Sequence, residues 1–237
     1  MFPQAIILRM KILPSNDFPD PDFKVAIIIP ALNEENTIEP VIRGVLPFGL
    51  VIVVDDGSTD KTASISEVAG ASVVSHGKNS GYDAALFSGM SKALEFGADA
   101  AITIDADGQH LPEDIGKFVE ILKNGGADIV MGVRPKPARF AEWVFRIWAK
   151  KRYGVQDILC GFKGYNKNYL ERFKAEAARF SFGTALPVAC IKNGARAVYL
   201  PIKIKKRVDI PRLGRALRAN LLIFKAMIGV VFDAKQA

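Results

Sequence analysis

Short apolar runs alternate with longer turn-and-helix stretches from residue 25 onward. Each run is almost free of polar residues, which is typical of strands that are covered on both faces. The alternation predicts an α/β fold with a mostly parallel sheet and helices on both faces of that sheet. The five predicted strands lie at residues 25–29, 50–54, 72–75, 100–104 and 129–133.

Polar residues follow every predicted strand directly. Ligands of open parallel sheets bind beyond the carboxyl ends of the strands, so we expect these residues to share one pocket. Acids follow three strands and an arginine follows the fifth, which favours a nucleotide and metal site over chance. The residues are Asn33, Glu34, Asp55, Asp56, the segment 76–79, Asp105, Asp107 and Arg134.

The segment ITIDADGQHLPED places two aspartates and a glutamine after the fourth strand. If that strand continued, Asp105, Asp107 and Gln109 would lie on one face, because alternate side chains of a strand point the same way. Two carboxylates held so close favour a hard divalent cation between them. Alternatively, the acids only begin a turn, and a helix starts near Pro112.

The composition predicts a globular chain with a large core, since 49% of its 237 residues are hydrophobic. We expect an N-terminal extension at residues 1–22, a main domain at residues 23–208 and a separate segment at residues 209–237. Cys160 and Cys190 match no disulfide framework or metal-binding spacing, which indicates a reducing compartment.

Positive charge is concentrated near the C-terminal end. Residues 192–237 carry 11 Lys and Arg against 2 Asp and Glu, whereas the preceding residues have a net charge of −2. Such an end could bind nucleic acid, anionic lipid or a phosphate-bearing substrate. Few aromatic residues accompany these charges and no nucleic-acid motif is present, so nucleic acid is not expected as a partner.

The segment after residue 209 predicts a basic amphipathic helix that is too short to cross a bilayer. Its arginines precede an apolar surface, as in helices that lie in the lipid headgroup region. Packing against the main domain or against a membrane partner subunit is the alternative. We expect a cytoplasmic location with peripheral attachment to the membrane.

Several segments together resemble the family 2 glycosyltransferases with a GT-A fold, in particular the dolichyl-phosphate mannose or glucose synthases. They lie in the family's order between about Lys24 and about Arg207, and they read IIPALNEE, VIVVDDGSTDKT, GYDAALFSGMSKAL, DADGQHLPED and DILCGFKGYNK. The resemblance implies a GT-A (Rossmann-like) domain. It also implies inverting transfer of a hexose from GDP-mannose or UDP-glucose to polyprenyl (dolichyl) phosphate.

The resemblance further implies roles for single residues. The donor nucleotide sugar would contact Pro30, Leu32, Glu34, Asp55 or Asp56, Ala106 and Arg134. The catalytic aspartates would hold Mg²⁺ or Mn²⁺ on the diphosphate together with an amide oxygen, the set being Asp105, Asp107 and Gln109. The acceptor phosphate would meet basic residues of the C-terminal part, namely Lys203, Lys205, Lys206, Arg207 and Arg212.

Three alternatives remain open. The same donor site could serve a hydroxyl acceptor, with His110 as the candidate base. A nucleotidyltransferase also joins an α/β sheet to paired aspartates, although its usual basic loop is replaced here by the acidic PALNEENT. The third is a nucleotide-sugar-binding subunit without turnover. Two departures from the family pattern, SFGTALPVACIKNG without a carboxylate and DIPRLG at the end of the basic stretch, lie on the acceptor side.

Overall fold

A seven-stranded sheet forms the centre of the fold in a computed structural model, which describes residues 22–137, 139–177 and 181–205. The strand order is β3-β2-β1-β4-β6-β5-β7, and β6 runs antiparallel to both of its neighbours while the other pairs are parallel. The predicted α/β fold and its mostly parallel sheet are confirmed. The strands are β1 Val25–Ala31, β2 Leu50–Asp55, β3 Ser72–Ser75, β4 Ala100–Thr103, β5 Ile129–Val133, β6 Lys163–Asn166 and β7 Ala197–Pro201.

Helices connect the strands and cover both faces of the sheet, as predicted. A short 3-10 turn at Leu46–Phe48 follows the first helix. The helices are α1 Ile38–Val45, α2 Thr62–Val68, α3 Tyr82–Glu95, α4 Glu113–Lys123, α5 Phe140–Tyr153, α6 Lys167–Ala177 and α7 Phe182–Lys192.

Strand β1 serves two hydrophobic cores at once. Alternate side chains of a strand point to opposite faces. Ile28 therefore packs in the core that includes residues of α3, α5 and α7, whereas Ile27 and Ile29 pack in the core that includes residues of α1 and α4. Every residue of β1 is buried, which explains why the run contains no charged residue.

Strand β6, with the sequence KGYN, is not predicted because it contains no apolar run. It lies between β4 and β5, and its Gly164 pairs with Ile102 on one side and Val130 on the other. A Cβ atom at position 164 would come within 2.9 Å of the Leu122 Cδ1 methyl. The glycine thus allows α4 to pack closely on this part of the sheet. Strand β7 was not predicted either.

The predicted N-terminal extension and the predicted amphipathic helix lie outside the described residues, apart from Asp22 at the end of the extension. Within the described ranges, no helix has both the length and the apolar character needed to span a bilayer.

We expect Gly89→Ala to destabilise the protein, because α3 packs against β1 and β2 at this glycine. An added Cβ would overlap the Ile28 Cγ2 methyl and come within 3.2 Å of Val54 Cγ2. Alanine favours a helix by about 1 kcal/mol, whereas overpacking costs about 1–3 kcal/mol. Urea denaturation should show a net loss of up to about 2 kcal/mol in the free energy of unfolding.

Gly77→Ala is the control, since no atom lies within 4 Å of its added Cβ. Equal or greater stability of the Gly89 variant would contradict the close packing of α3.

Candidate active site

The loops that follow β1 and β2 are tied together at the carboxyl edge of the sheet. The Asn33 N–H donates to Ser58 Oγ (2.8 Å), and Asn33 Oδ1 accepts the Thr59 N–H (2.8 Å). Asn33 has a φ of +50°, which asparagine tolerates better than most residues. Two of the strand-end segments that the sequence grouped into one pocket are therefore in direct contact.

Asp55 and Asp56 are both buried, but they have different partners. The Asp56 carboxylate accepts the N–H groups of Ser80 (2.9 Å) and Gly81 (2.8 Å) and lies 2.7 Å from His76 Nδ1. Asp56 thereby anchors the loop that follows β3. Asp55 accepts one backbone N–H, at 3.2 Å, from the turn that follows it. Asp55 therefore keeps the greater capacity to accept further hydrogen bonds.

The predicted donor residues after β1 lie at the same edge of the sheet. Pro30 is buried within β1, and Leu32 is half-buried. Glu34 is buried, its carboxylate accepts the Thr37 O–H (2.8 Å), and its carbonyl accepts the Ile38 N–H (2.9 Å). Glu34 thus helps to begin α1, a role that the sequence did not indicate. Donor contacts for these residues stay a prediction.

The Asp105 carboxylate lies just beyond β4 and is held by side chains from two other segments. The Tyr82 O–H donates to Oδ1 (3.2 Å), and His110 Nε2 lies 3.1 Å from Oδ2. Burial opposes the charge of Asp105, but hydrogen bonding and charge from His110, the Tyr82 hydrogen bond and the charge of Arg134 outweigh burial and hold its pKa below the ordinary value. Asp105 is therefore an anion at neutral pH.

Gly161 lies directly against this carboxylate. A Cβ at position 161 would overlap both carboxylate oxygens of Asp105. The Thr103 O–H donates to the Gly161 carbonyl, which fixes the loop before β6 to the end of β4. The glycine of the CGFK segment is therefore required by the close approach of a backbone to a charged group.

The strand continuation predicted for Asp105, Asp107 and Gln109 is wrong. β4 ends at Thr103, and the chain turns through Gly108, which has a φ of +71°. A turn is followed by a helix near Pro112, as the alternative had it, because α4 begins at residue 113. A metal bound by these residues stays a prediction. Asp107 Oδ1 accepts the Gln109 N–H (3.0 Å) within this turn. Ala106, a predicted donor residue, is buried between the two aspartates.

The beginning of the basic C-terminal stretch lies beside this turn. The Lys205 N–H donates to the Gln109 carbonyl (2.8 Å), and Gln109 Nε2 donates to the Lys205 carbonyl (3.2 Å). His110 forms an isolated antiparallel bridge with Ile204. The side chains of Lys203 and Lys205 are exposed. The other predicted acceptor residues, Lys206, Arg207 and Arg212, lie outside the described residues.

Arg134 makes ion pairs with two buried carboxylates of the protein itself. Its Nε and Nη2 donate to the two oxygens of Asp157 (2.9 Å each), and Nη2 lies 3.2 Å from Glu142 Oε2. Burial opposes its charge, but the Asp157 hydrogen bonds and charge dominate and raise the Arg134 pKa. The guanidinium therefore has a structural role that the sequence did not indicate, while its charge also acts on Asp105.

Lys163, which sequence reasoning missed, is a buried cation next to the site. Its Nζ donates to the carbonyls of Ile158 (2.8 Å) and Gly183 (2.6 Å), and burial lowers its pKa. It lines a small pocket together with Tyr82 and Gly161. Lys163, Tyr82 and Gly161 all lie in segments that carry the family resemblance, but nothing in those segments indicates which side chains meet Asp105.

No cluster of three or more His, Cys, Asp or Glu residues that could hold a metal ion occurs within the described ranges. The predicted ligand set consists instead of two carboxylates and an amide.

Comparison with known proteins identifies the family. Residues 26–183 match the sequence profile of Glycosyl transferase family 2. The chain belongs to this family. The family assignment also makes the protein a glycosyltransferase, as the resemblance implied.

Two relatives and one solved structure illustrate its similarities. The UDP-N-acetylglucosamine–dolichyl-phosphate N-acetylglucosaminyltransferase of Methanococcus voltae is 30% identical over 77% of this chain and 86% of that protein. The polyprenol monophosphomannose synthase of Mycolicibacterium smegmatis is 28% identical over 79% of each chain. Glucosyl-3-phosphoglycerate synthase of Mycobacterium tuberculosis, crystallised with Mn²⁺, UDP and its product, has a TM-score of 0.67 and 20% identity over 88% of this chain and 81% of its own. The GT-A fold is thereby confirmed.

In this family 2 glycosyltransferase, we expect Arg134→Met to reduce stability as well as activity. The substitution leaves Asp157 and Glu142 buried without their guanidinium partner. Loss of one member of a buried ion pair costs about 3–5 kcal/mol. Thermal and urea denaturation measure the loss.

Arg196→Met is the matched control. Arg196 makes a similar forked pair with Asp128 (3.2 Å for each bond), but its side chain is 63% exposed and its pair is solvated, so stability should change little. Equal stability of the two variants would contradict a structural role for Arg134.

Proposed function

We propose that this family 2 glycosyltransferase moves a hexose from GDP-mannose or UDP-glucose to a polyprenyl (dolichyl) phosphate, with inversion, at the cytoplasmic surface of a membrane. One observation carries the proposal: the Asp105–Gln109 turn, to which we assign the donor diphosphate, is hydrogen-bonded to the start of the basic stretch at Lys205. Donor and acceptor phosphates can therefore be bound side by side. The names of the two relatives, a dolichyl-phosphate transferase and a polyprenol monophosphomannose synthase, support the same acceptor class.

The nucleoside end of the donor is assigned to the joined loops after β1 and β2. Asp55 is the better candidate for binding the base, because Asp56 already accepts several hydrogen bonds from the loop after β3. A carboxylate can accept hydrogen bonds from ring N–H groups of either guanine or uracil. Pro30, Leu32 and Glu34 form the adjoining surface for base and ribose, and Ala106 and Arg134 complete the donor pocket.

The chemistry of the ligand set fits a divalent cation. Asp105 is ionised and accepts one hydrogen bond on each oxygen, which leaves lone pairs free, and Asp107 and Gln109 contribute oxygens from the same turn. Asp105, Asp107 and Gln109 would hold the ion. A bound Mg²⁺ or Mn²⁺ neutralises the charge that collects on the leaving diphosphate. Tyr82 and His110 keep the Asp105 carboxylate in one orientation.

An acceptor that is already an anion needs no base and is attracted by the nearby lysines. One acceptor phosphate oxygen bonds to the anomeric carbon while the bond from that carbon to the β-phosphate oxygen breaks. The electron pair of the broken bond leaves with the nucleoside diphosphate. Because the attacking phosphate oxygen carries no proton, no proton has to be removed. A hydroxyl acceptor needs a base, and His110, the candidate, is buried with Nε2 directed at Asp105. Lys203 and Lys205 neutralise the incoming phosphate.

We expect the purified chain to transfer radiolabelled sugar to dolichyl phosphate in the presence of Mn²⁺. GDP-mannose and UDP-glucose are offered separately, and the labelled product is extracted into organic solvent. EDTA should abolish transfer, because the charge on the leaving diphosphate would then be uncompensated. The acceptor assignment is wrong if neither donor gives extractable label while label appears on a hydroxyl acceptor.

We expect Asp107→Ala to lose transfer by at least about a hundredfold and to weaken Mn²⁺-dependent donor binding. The Asp107 carboxylate accepts a hydrogen bond within the turn, so the free energy of unfolding should change by no more than about 1 kcal/mol. Calorimetric titration of the donor, with and without Mn²⁺, separates binding from turnover. Glu39→Ala, which removes an exposed acid of α1, is the control. Full activity of the Asp107 variant would show that this carboxylate is structural.

A further inference from the structure

Helix α5 presents large apolar side chains to solvent on one face. Phe140 is 68% exposed, Trp143 is 50% exposed and Ile147 is 38% exposed. Their spacing of three and then four residues places them on the same side of the helix. The Phe140 and Trp143 rings also stack, with centroids 5.8 Å apart. We call Phe140, Trp143 and Ile147 the α5 apolar face.

This face is distinct from other exposed apolar residues of the described chain. Single exposed apolar side chains are normal on soluble proteins and need no explanation. Three on one helix form a continuous strip. The remaining large exposed hydrophobic residues form no such strip, since Leu50 lies in β2, Val68 in α2, and Tyr82 and Phe96 at opposite ends of α3. The opposite side of α5, which includes Phe145 and Ala149, is buried in the core. The outward position of the α5 apolar face is therefore set by a well-packed helix.

The charges of α5 favour an anionic partner. Its last turn carries Lys150, Lys151 and Arg152, and all three are exposed. The helix has a single acid, Glu142, which is buried and paired with arginines. A strip of aromatic and aliphatic residues that ends in lysines matches the interface of an anionic bilayer, where apolar groups enter the acyl boundary and cations meet the headgroups.

The helix is also attached to the active site. Glu142 of α5 pairs with the Arg134 guanidinium (3.2 Å), and Arg146 Nη1 donates to the Arg134 carbonyl (3.2 Å). The charge of Arg134 acts in turn on Asp105. A bilayer against α5 would therefore lie near the edge of the site that binds phosphate. An acceptor carried in that bilayer could reach the site while its lipid chain stays in the bilayer.

We propose that the α5 apolar face, with Lys150 and Lys151, docks the enzyme on an anionic lipid bilayer. The choice of a bilayer rests on the proposed function, since a polyprenyl phosphate resides in a membrane. The docking itself needs neither donor nor acceptor.

Trp143 supplies a direct test. Trp148 is the other tryptophan of the chain, and it packs against Tyr153 and Phe145. In the full chain carrying Trp148→Phe, fluorescence therefore reports Trp143 alone. Vesicles of phosphatidylcholine with phosphatidylglycerol should shift its emission to the blue, and lipids brominated on the upper acyl carbons should quench it. Vesicles of phosphatidylcholine alone should give a much weaker response.

Sedimentation with the same vesicles tests the contribution of each group. We expect the double variant Phe140→Ser, Trp143→Ser to bind at least about tenfold more weakly, and Lys150→Glu, Lys151→Glu to lose a similar factor on anionic vesicles only. Phe96→Ser is the control, because it removes an exposed aromatic residue that directly follows α3 and is not part of α5. All substituted side chains are exposed, so thermal unfolding should be unchanged.

Two results would overturn the proposal. The first is vesicle binding by the Phe140, Trp143 double variant that equals that of the unchanged chain, which would assign binding to another segment. The second is Trp143 emission that is already blue-shifted without lipid and unaffected by vesicles, which would show that protein covers this face. Because these vesicles contain no polyprenyl phosphate, α5-dependent binding by a chain that transfers no sugar supports docking and contradicts only the proposed function.

Discussion

The position of one charged carboxylate, Asp105, depends on residues from distant parts of the chain. Asp105 is half-buried, and an anion that is partly withdrawn from water is destabilised unless hydrogen bonds and positive charge compensate it. Tyr82 at the start of α3 and His110 after the turn satisfy its oxygens, while Gly161 before β6 leaves room for the group. The sheet, α3 and the loop before β6 must all be in place before this anion is stable. The site therefore exists only where these elements are packed together, as they are in the folded domain.

Buried charge continues away from Asp105 in alternating sign. Arg134 lies between Asp157 and Glu142, and Lys163 is held by two backbone carbonyls. These groups add polar contacts between the β5–β6 part of the sheet and the helices α5 and α7. Directional bonds of this kind fix relative orientation more sharply than apolar contact does. The same cluster thus stabilises the domain and sets the field in which a diphosphate would bind.

Sequence reasoning succeeded where local pattern decides structure and failed where distant contacts do. The predicted strands are correct because a strand buried on both faces must be apolar throughout, as β1 is. β6 carries no such run, and only its neighbours make it a strand. The sequence singled out Asp105 and Asp107 as candidate metal ligands, but it placed them on a strand, whereas they lie in a turn. Tyr82, Gly161 and Lys163 were missed because their partners are far away in the sequence.

The antiparallel strand between β4 and β5 has a consequence for synthesis of the chain on the ribosome. Until residues 163–166 emerge, β4 and β5 each lack the neighbour that fills the gap between them. The nascent sheet then has two unpaired strand edges, on β4 and β5, in what will become its interior. Unpaired edges can pair with strands of other chains. A polypeptide released early would carry this defect. Within the described chain, only residues 163–166 pair both edges and so close the interior of the sheet.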